Sequence, residues 1–408
     1  MAQYTQARTP KSKVRSTKSR LGALPRLDYP LIVATGVLLL AGFMLIYSGS
    51  YDLAFQTQNG NAAYYLLRQM LFAALGIGVA VILARSDYTH WRRWSVPLMG
   101  VTLIALIGVL AFGENRYGAR LSLFSGSVQP GEWAKLVVVF YIADWLSSKR
   151  EKLHDVSYGL IPFGVIVGAI TGLVVLEPDY GTAILIVLAA LAMVFLAGID
   201  LKQLLIGGGV SSATLTLVIL TSPHASERLN EFATMWNDPS AASDQMQQVL
   251  LALKMGGLSG VGLGNGLLRV GYLPLAHTDS IFAVAAIELG LIGVLGLLML
   301  YAIVAYRGVR IALQAPSHHG QLLAFGATLV IVIQALANVC VMTGVLPLTG
   351  IPLPFVSYGG SSLITTLALV GVLISVARAT TRRGSKYSAS MDRSRRDGRS
   401  RLPRTSRR

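Results

Sequence analysis

Ten stretches of the chain, long and nearly free of charge, limit what it can fold into: 30–48, 63–84, 96–112, 132–148, 158–176, 182–198, 203–221, 281–305, 321–345 and 361–377. As helices they are long enough to cross a hydrocarbon core of about 30 Å. In lipid only helices and closed barrels satisfy their own backbone. The pattern predicts an all-α integral membrane protein with about ten transmembrane helices. Composition agrees, with 53% of the 408 residues hydrophobic and 13% charged.

The connectors sort by charge. Arg85, Arg92 and Arg93 fall in one, Lys149, Arg150 and Lys152 in another, Lys202 in a third, Arg307 and Arg310 in a fourth. These alternate connectors share a side with both chain ends, and by the positive-inside rule that side is cytoplasmic. The formal charge of +16 is confined to the tails. Residues 1–29 and 378–408 together hold 19 of the 35 Lys/Arg against Asp28, Asp392 and Asp397, and 30–377 is neutral. The expectation is a basic cytoplasmic N-terminal tail, a membrane domain over 30–377 and a disordered basic cytoplasmic C-terminal tail. Both tails are expected to lie near anionic lipid headgroups and not to bind nucleic acid. Cys340, the single cysteine, excludes a disulfide within the chain. No small-residue cleavage site follows the first apolar run, which is expected to stay as an anchor.

The outer side then receives 49–62, 113–131, 177–181, 222–280 and 346–360. The segment 222–280, between the seventh and eighth spans, is long enough for structure of its own. Met235–Pro239 reads as a turn with an interfacial tryptophan. Asp244–Leu258 reads as an amphipathic helix ended by glycine, followed by the glycine-rich GLSGVGLGNG.

Ionisable residues at membrane depth point to function. Outside the basic connectors they are Arg68, Glu132, Lys135, Asp144, Glu177, Asp179, Asp279 and Glu288. All but Asp144 and Glu288 fall at outer ends of spans. Each has a plain structural alternative: a local ion pair for Glu132 and Lys135, a snorkelling interface arginine for Arg68, helix caps for Asp179 and Asp279, a loop brace for His277, and small-residue packing for SYGGSS at 357–362. Their joint placement on one membrane face favours a shared outward cavity. Neither GxxxxGK[ST] nor HExxH is present. A transporter stays open on these residues alone, because glycine and proline interruptions near span ends are also a transporter feature.

Five segments carry a resemblance: QPGEWAK (129–135), EPDYGTA (177–183), DQMQQVLLALKMGGLSGVGLGNG (244–266), YLPLAHTDSIFAV (272–284) and GVLPLTGIPLPFVSYGGSS (344–362). In this order, across the whole membrane core, they resemble the SEDS family (shape, elongation, division and sporulation). GLGNG, Arg269 and YLPLAHTD resemble its FtsW branch, which serves cell division at the septum, more than its RodA branch, which serves elongation. The resemblance implies a peptidoglycan glycosyltransferase of the bacterial cytoplasmic membrane. It would polymerise lipid II onto a nascent glycan chain on the outer side, beside a class B penicillin-binding protein and other divisome membrane proteins. Lipid II flipping and a scaffold role are the alternatives.

By the same resemblance Asp279 is the catalytic aspartate, as base or as ligand of a divalent cation (Mg or Mn). Arg68 and Lys135 would face pyrophosphate oxygens, and Glu132 would orient Lys135. Asp179 and His277 would belong to the substrate cavity, and the hydroxyls of Ser357, Ser361 and Ser362 would reach the substrate. This chain departs from the family pattern at Leu275, Ser280, Gly131 and Ile287, where glutamate, phenylalanine, serine and glutamate are usual.

Overall fold

The computed structural model describes residues 28–116, 119–122, 128–149, 160–238, 241–266, 273 and 275–397. Twelve helices follow one another among them: α1 (Tyr29–Thr57), α2 (Tyr64–Arg85), α3 (Trp91–Phe112), α4 (Pro130–Ser148), α5 (Leu160–Leu176), α6 (Tyr180–Leu196), α7 (Leu201–Thr221), α8 (Pro223–Asn237), α9 (Asp244–Gly256), α10 (Ile281–Leu313), α11 (His318–Met342) and α12 (Gly360–Asp397). A short antiparallel ribbon, β1 (Glu114–Arg116) with β2 (Ala119–Ser122), joins α3 to α4 and is the one departure from all-α structure among the described residues.

Seven helices are long and apolar enough to cross a membrane by themselves: α1, α2, α3, α7, α10, α11 and α12. α5 and α6 are apolar but shorter. α4 runs 19 residues and carries Glu132, Lys135 and Asp144. These ten are the predicted spans, and the chain is a multi-pass membrane protein. α8 and α9 are the two amphipathic helices of the outer segment. In α8 Ala225, Leu229, Phe232 and Trp236 share one helical face. In α9 Met246, Val249, Ala252 and Gly256 are buried.

Four boundaries depart from the sequence reading. α1 continues nine residues past 48, to Thr57. Met235–Asn237 close α8 instead of forming a turn, and Pro239 lies outside the described residues. α12 continues to Asp397 through residues expected to be disordered, since Arg, Lys and Ala are good helix formers. α10 begins at 281 as expected but breaks at Gly290 (φ 67°, ψ −170°). The basic residues of 1–27 and 398–408, and Arg269, lie outside the described residues.

The break in α10 is filled by the glycine-rich loop. Val261 and Gly262 N–H donate to the carbonyls of Ile287 and Glu288 at 2.9 and 3.1 Å, and Leu291 and Ile292 N–H donate to Gly257 and Leu258 at 3.0 and 3.1 Å. Backbone contact this close tolerates no side chain. A Cβ on Gly256 would stand 2.0 Å from the Ala286 carbonyl oxygen, and one on Gly260 (φ 76°) 2.1 Å from that of Glu288. The first two turns of α10, Ile281–Glu288, are buried throughout, so the residues before them are held at the mouth of the bundle by a rigid element.

Candidate active site

The segment between α11 and α12 is not helical, yet residues 351 and 353–357 are buried. Buried backbone in a membrane protein must find partners inside the protein. Three helices supply them. Asn338 Nδ2 donates to the carbonyl of Ile351 at 2.8 Å, Gln334 Nε2 to Pro352 at 2.9 Å, Tyr301 Oη to Pro354, and Gln69 Nε2 to Ser357 at 3.0 Å. Gln69 Oε1 also accepts from Gly359 N–H at 3.2 Å. Side chains on α2, α10 and α11 thus pin the loop against the outer end of the bundle.

Asp279 stands against this loop. Asn338 Nδ2 also reaches the Asp279 carbonyl, at 3.0 Å. Gly350, at φ 68°, brings its backbone beside the carboxylate, and a Cβ there would lie 3.5 Å from Oδ2. Leu275, at the family's glutamate position, sits in the left-handed region at φ 52° and accepts from the N–H of Thr278 and Ser280. That tight turn delivers Asp279 to the start of α10. Asp279 is not the helix cap, the alternative reading of it: Ser280 occupies the N-cap position, makes no capping bond, and accepts from Gln245 Nε2 at 3.1 Å.

Burial, opposed by the Arg228 guanidinium and reinforced by Asp179, pushes the Asp279 carboxyl up to about 7. Asp179 caps α6, accepting from Thr182 N–H at 2.9 Å. Its carboxyl is raised by burial against those bonds, and it also feels Glu132 and Lys135. Lys135 Nζ lies 2.7 Å from Glu132 Oε2 and donates to Gln334 Oε1 at 2.7 Å. Asp279, Asp179, Glu132 and Lys135 therefore form one electrostatically connected group. Gly131 leaves room beside it, a Cβ there lying 3.7 Å from Asp179 Oδ2.

Other predicted residues have different surroundings. Arg68 is half-buried, its guanidinium 5.7 Å above the Phe72 ring and its Nη1 donating to Tyr64 Oη at 3.3 Å. His277 packs against Tyr65 and Tyr358, centroids 4.6 and 5.5 Å away, and burial lowers it to about 4. It is a neutral ring near neutral pH. The hydroxyl oxygens of the three serines each accept a bond: Ser357 Oγ from Leu353 N–H at 2.7 Å, Ser361 Oγ from Gln129 N–H at 3.0 Å, and Ser362 Oγ from Gln334 Nε2 at 3.3 Å. Lys135, only 2% exposed, is enclosed with its counter-ion instead of open to a substrate. Glu288 is engaged with Ser48 Oγ and Gly264 N–H, away from this group.

Gln69, Gln334, Asn338 and Arg228 escape a search for charges at span ends. The first three have a signal in the sequence, an amide in an otherwise apolar run. Arg228 has only the amphipathic period of α8. Among the described residues no three His, Cys, Asp or Glu side chains gather as a metal-ligand set. A divalent ion at Asp279, with Asp179 as the carboxylate that influences it, would need substrate oxygens to complete its shell.

Comparison with known proteins places this arrangement. Stage V sporulation protein E of Bacillus subtilis is 36% identical over 356 residues, covering 86% of this chain and 97% of that protein. A probable peptidoglycan glycosyltransferase FtsW of Marinobacter nauticus is 37% identical over 355 residues, 85% of this chain and 88% of that one. A solved chain from a peptidoglycan synthase complex, described as coordinating polymerization and crosslinking, matches with TM-score 0.71 and 27% identity over 87% of this chain and 98% of that one. The rod shape determining protein RodA of Thermus thermophilus matches with TM-score 0.65 and 27% identity, over 86% and 97%. The family model described as cell cycle protein, covering FtsW, RodA and SpoVE, spans residues 29–382, and the chain belongs to that family.

Proposed function

We propose that this protein is a peptidoglycan glycosyltransferase that polymerises lipid II into glycan strands at the outer face of the cytoplasmic membrane. The observation that carries the reading is Asp279: a carboxyl at the outer mouth, its backbone tied by Asn338, its side chain against Gly350, and raised to about 7. A base that titrates near the working pH is half ionised and still strong enough to take a proton, a contribution of about 10²- to 10⁴-fold.

In the reaction the Asp279 carboxylate takes the proton of an acceptor sugar hydroxyl. The hydroxyl oxygen forms a bond to the anomeric carbon of a lipid-linked chain, and the bond from that carbon to the diphosphate breaks, releasing polyprenyl diphosphate. The leaving group needs neutralised charge more than a proton. Arg68 is positioned on the same outer end for that task. In the alternative role Asp279 would, with Asp179, hold a divalent cation that supplies positive charge at the diphosphate.

Names among the relatives favour septal synthesis during division, with a sporulation role as the second reading on the match to the Bacillus protein. The likeness to a synthase-complex chain supports a crosslinking partner, a class B penicillin-binding protein. The test is lipid II polymerisation by purified protein, alone and with that partner. Wild type should yield glycan and an equally folded Asp279→Asn should yield none; equal product from both removes Asp279 from the chemistry.

A further inference from the structure

Neutralising a diphosphate needs cations that a substrate can reach. Lys135 is enclosed, with Glu132 and Gln334 each 2.7 Å from Nζ, and His277 is uncharged near neutral pH. Arg68 lies along α2 over Phe72. Arg228, on α8, is exposed. Its Nη1 donates to the Leu348 carbonyl at 3.3 Å, at the long end of hydrogen bonding.

Leu348 is two residues before Gly350, the residue seated against the Asp279 carboxylate. Two residues of chain span at most about 7 Å. Arg228 and Asp279 therefore flank one short piece of backbone, consistent with the electrostatic influence of the guanidinium on that carboxyl. A small open cleft of about 20 Å³ lies beside Arg228, lined by Glu231, Phe232, Met235, Met246 and Leu348. Being exposed, the arginine can leave its weak carbonyl contact.

We infer that Arg228 is a substrate-binding residue that takes the diphosphate of the lipid-linked sugar at the outer face beside Asp279. The inference rests on the proposed polymerase reading. A guanidinium suits the task because its planar fork can hold two phosphate oxygens at once, which an ammonium does less well. In the resting protein it borrows the Leu348 carbonyl and releases it when a stronger acceptor arrives.

The test is steady-state polymerisation of lipid II by the full chain with its crosslinking partner, for wild type, Arg228→Gln, Arg228→Lys and Lys202→Gln, between pH 6 and 8.5. Loss of a charge-assisted bond predicts that Arg228→Gln raises KM for lipid II about tenfold or more at every pH. Arg228→Lys should recover part of that, and Lys202→Gln, exposed at the other end of the bundle, should leave KM near wild type. An unchanged KM with only the acidic limb of the rate profile displaced makes Arg228 a counter-charge to Asp279 and overturns the inference. Unchanged kinetics throughout overturns it as well. If Arg228→Gln does not fold in detergent, Arg228→Lys decides: a raised KM supports the inference and a wild-type KM overturns it. Absence of glycan from wild type itself would overturn the polymerase reading, and this inference with it.

Discussion

One side-chain amide of Asn338 binds two carbonyls at once, that of Asp279 at 3.0 Å and that of Ile351 at 2.8 Å. One turn earlier on α11, Gln334 joins Lys135 to Pro352. A single helical face therefore sets the spacing between the candidate base, the buried ion pair and the loop behind them.

Removing the first of these ties should move the base without removing it. Asn338→Ala is expected to lower the polymerisation rate up to about 100-fold, the scale of a displacement near 1 Å. KM should change far less than kcat, because the residue does not face substrate. Initial rates on lipid II, with thermal unfolding as a control, check this.

The Glu132–Lys135 pair is enclosed, so breaking it leaves one buried charge alone. Lys135→Met should destabilise by about 3–5 kcal/mol, and Glu132→Gln combined with Lys135→Met by less than Lys135→Met alone. Unfolding midpoints in detergent measure both. Equal losses for single and double variants would remove the ion pair as the cause.

Asp279 acts as a base only when ionised. With its carboxyl raised to about 7, polymerisation should rise with pH through about 7 and fall on the acid side. Arg228 holds that carboxyl down, so Arg228→Gln should move the acid limb to higher pH. Rates between pH 5.5 and 8.5 give both limbs.

Glu177, buried in the turn before α6, is pushed up to about 8 by burial and by Asp179. Between its ordinary value near 4.5 and about 8 the folded protein binds more protons than the unfolded chain. Stability from this group is therefore full below 4.5 and lost as pH rises toward 8, at up to about 1.4 kcal/mol per pH unit. Glu177→Gln should flatten that slope and stabilise the protein at pH 8 and above. Unfolding measured from pH 5 to 9 is the check.

Gly260 meets the Glu288 carbonyl with no room for a methyl, and its φ of 76° disfavours any other residue. Gly260→Ala should unseat the loop from the α10 break and destabilise by more than about 1 kcal/mol. Gly36, with open space around its Cα, is the control and should tolerate alanine. Thermal unfolding of the two variants separates these expectations.

The sequence alone determined the spans, because apolar runs and basic connectors report directly on lipid and on the cytoplasmic side. It also placed Asp279, Asp179, Glu132, Lys135 and Arg68 at outer ends of spans, since a charge at a span end is visible in one dimension. The amphipathic α9 and its terminal glycine were legible for the same reason: 3.6-residue periodicity is local. Tertiary structure decided what each residue meets. Only the fold shows that the Ser357 oxygen accepts from the N–H of Leu353 in its own loop and the Ser361 oxygen from that of Gln129 before α4. Lys135 looks open until α11 covers it with Gln334. The amides of Gln69, Gln334 and Asn338 acquire meaning only because a non-helical loop lies buried among helices and its carbonyls need donors far away in sequence. Arg228 lies 51 positions before Asp279. Only the packing of α8 beside the loop at Leu348 brings its charge to bear on that carboxylate.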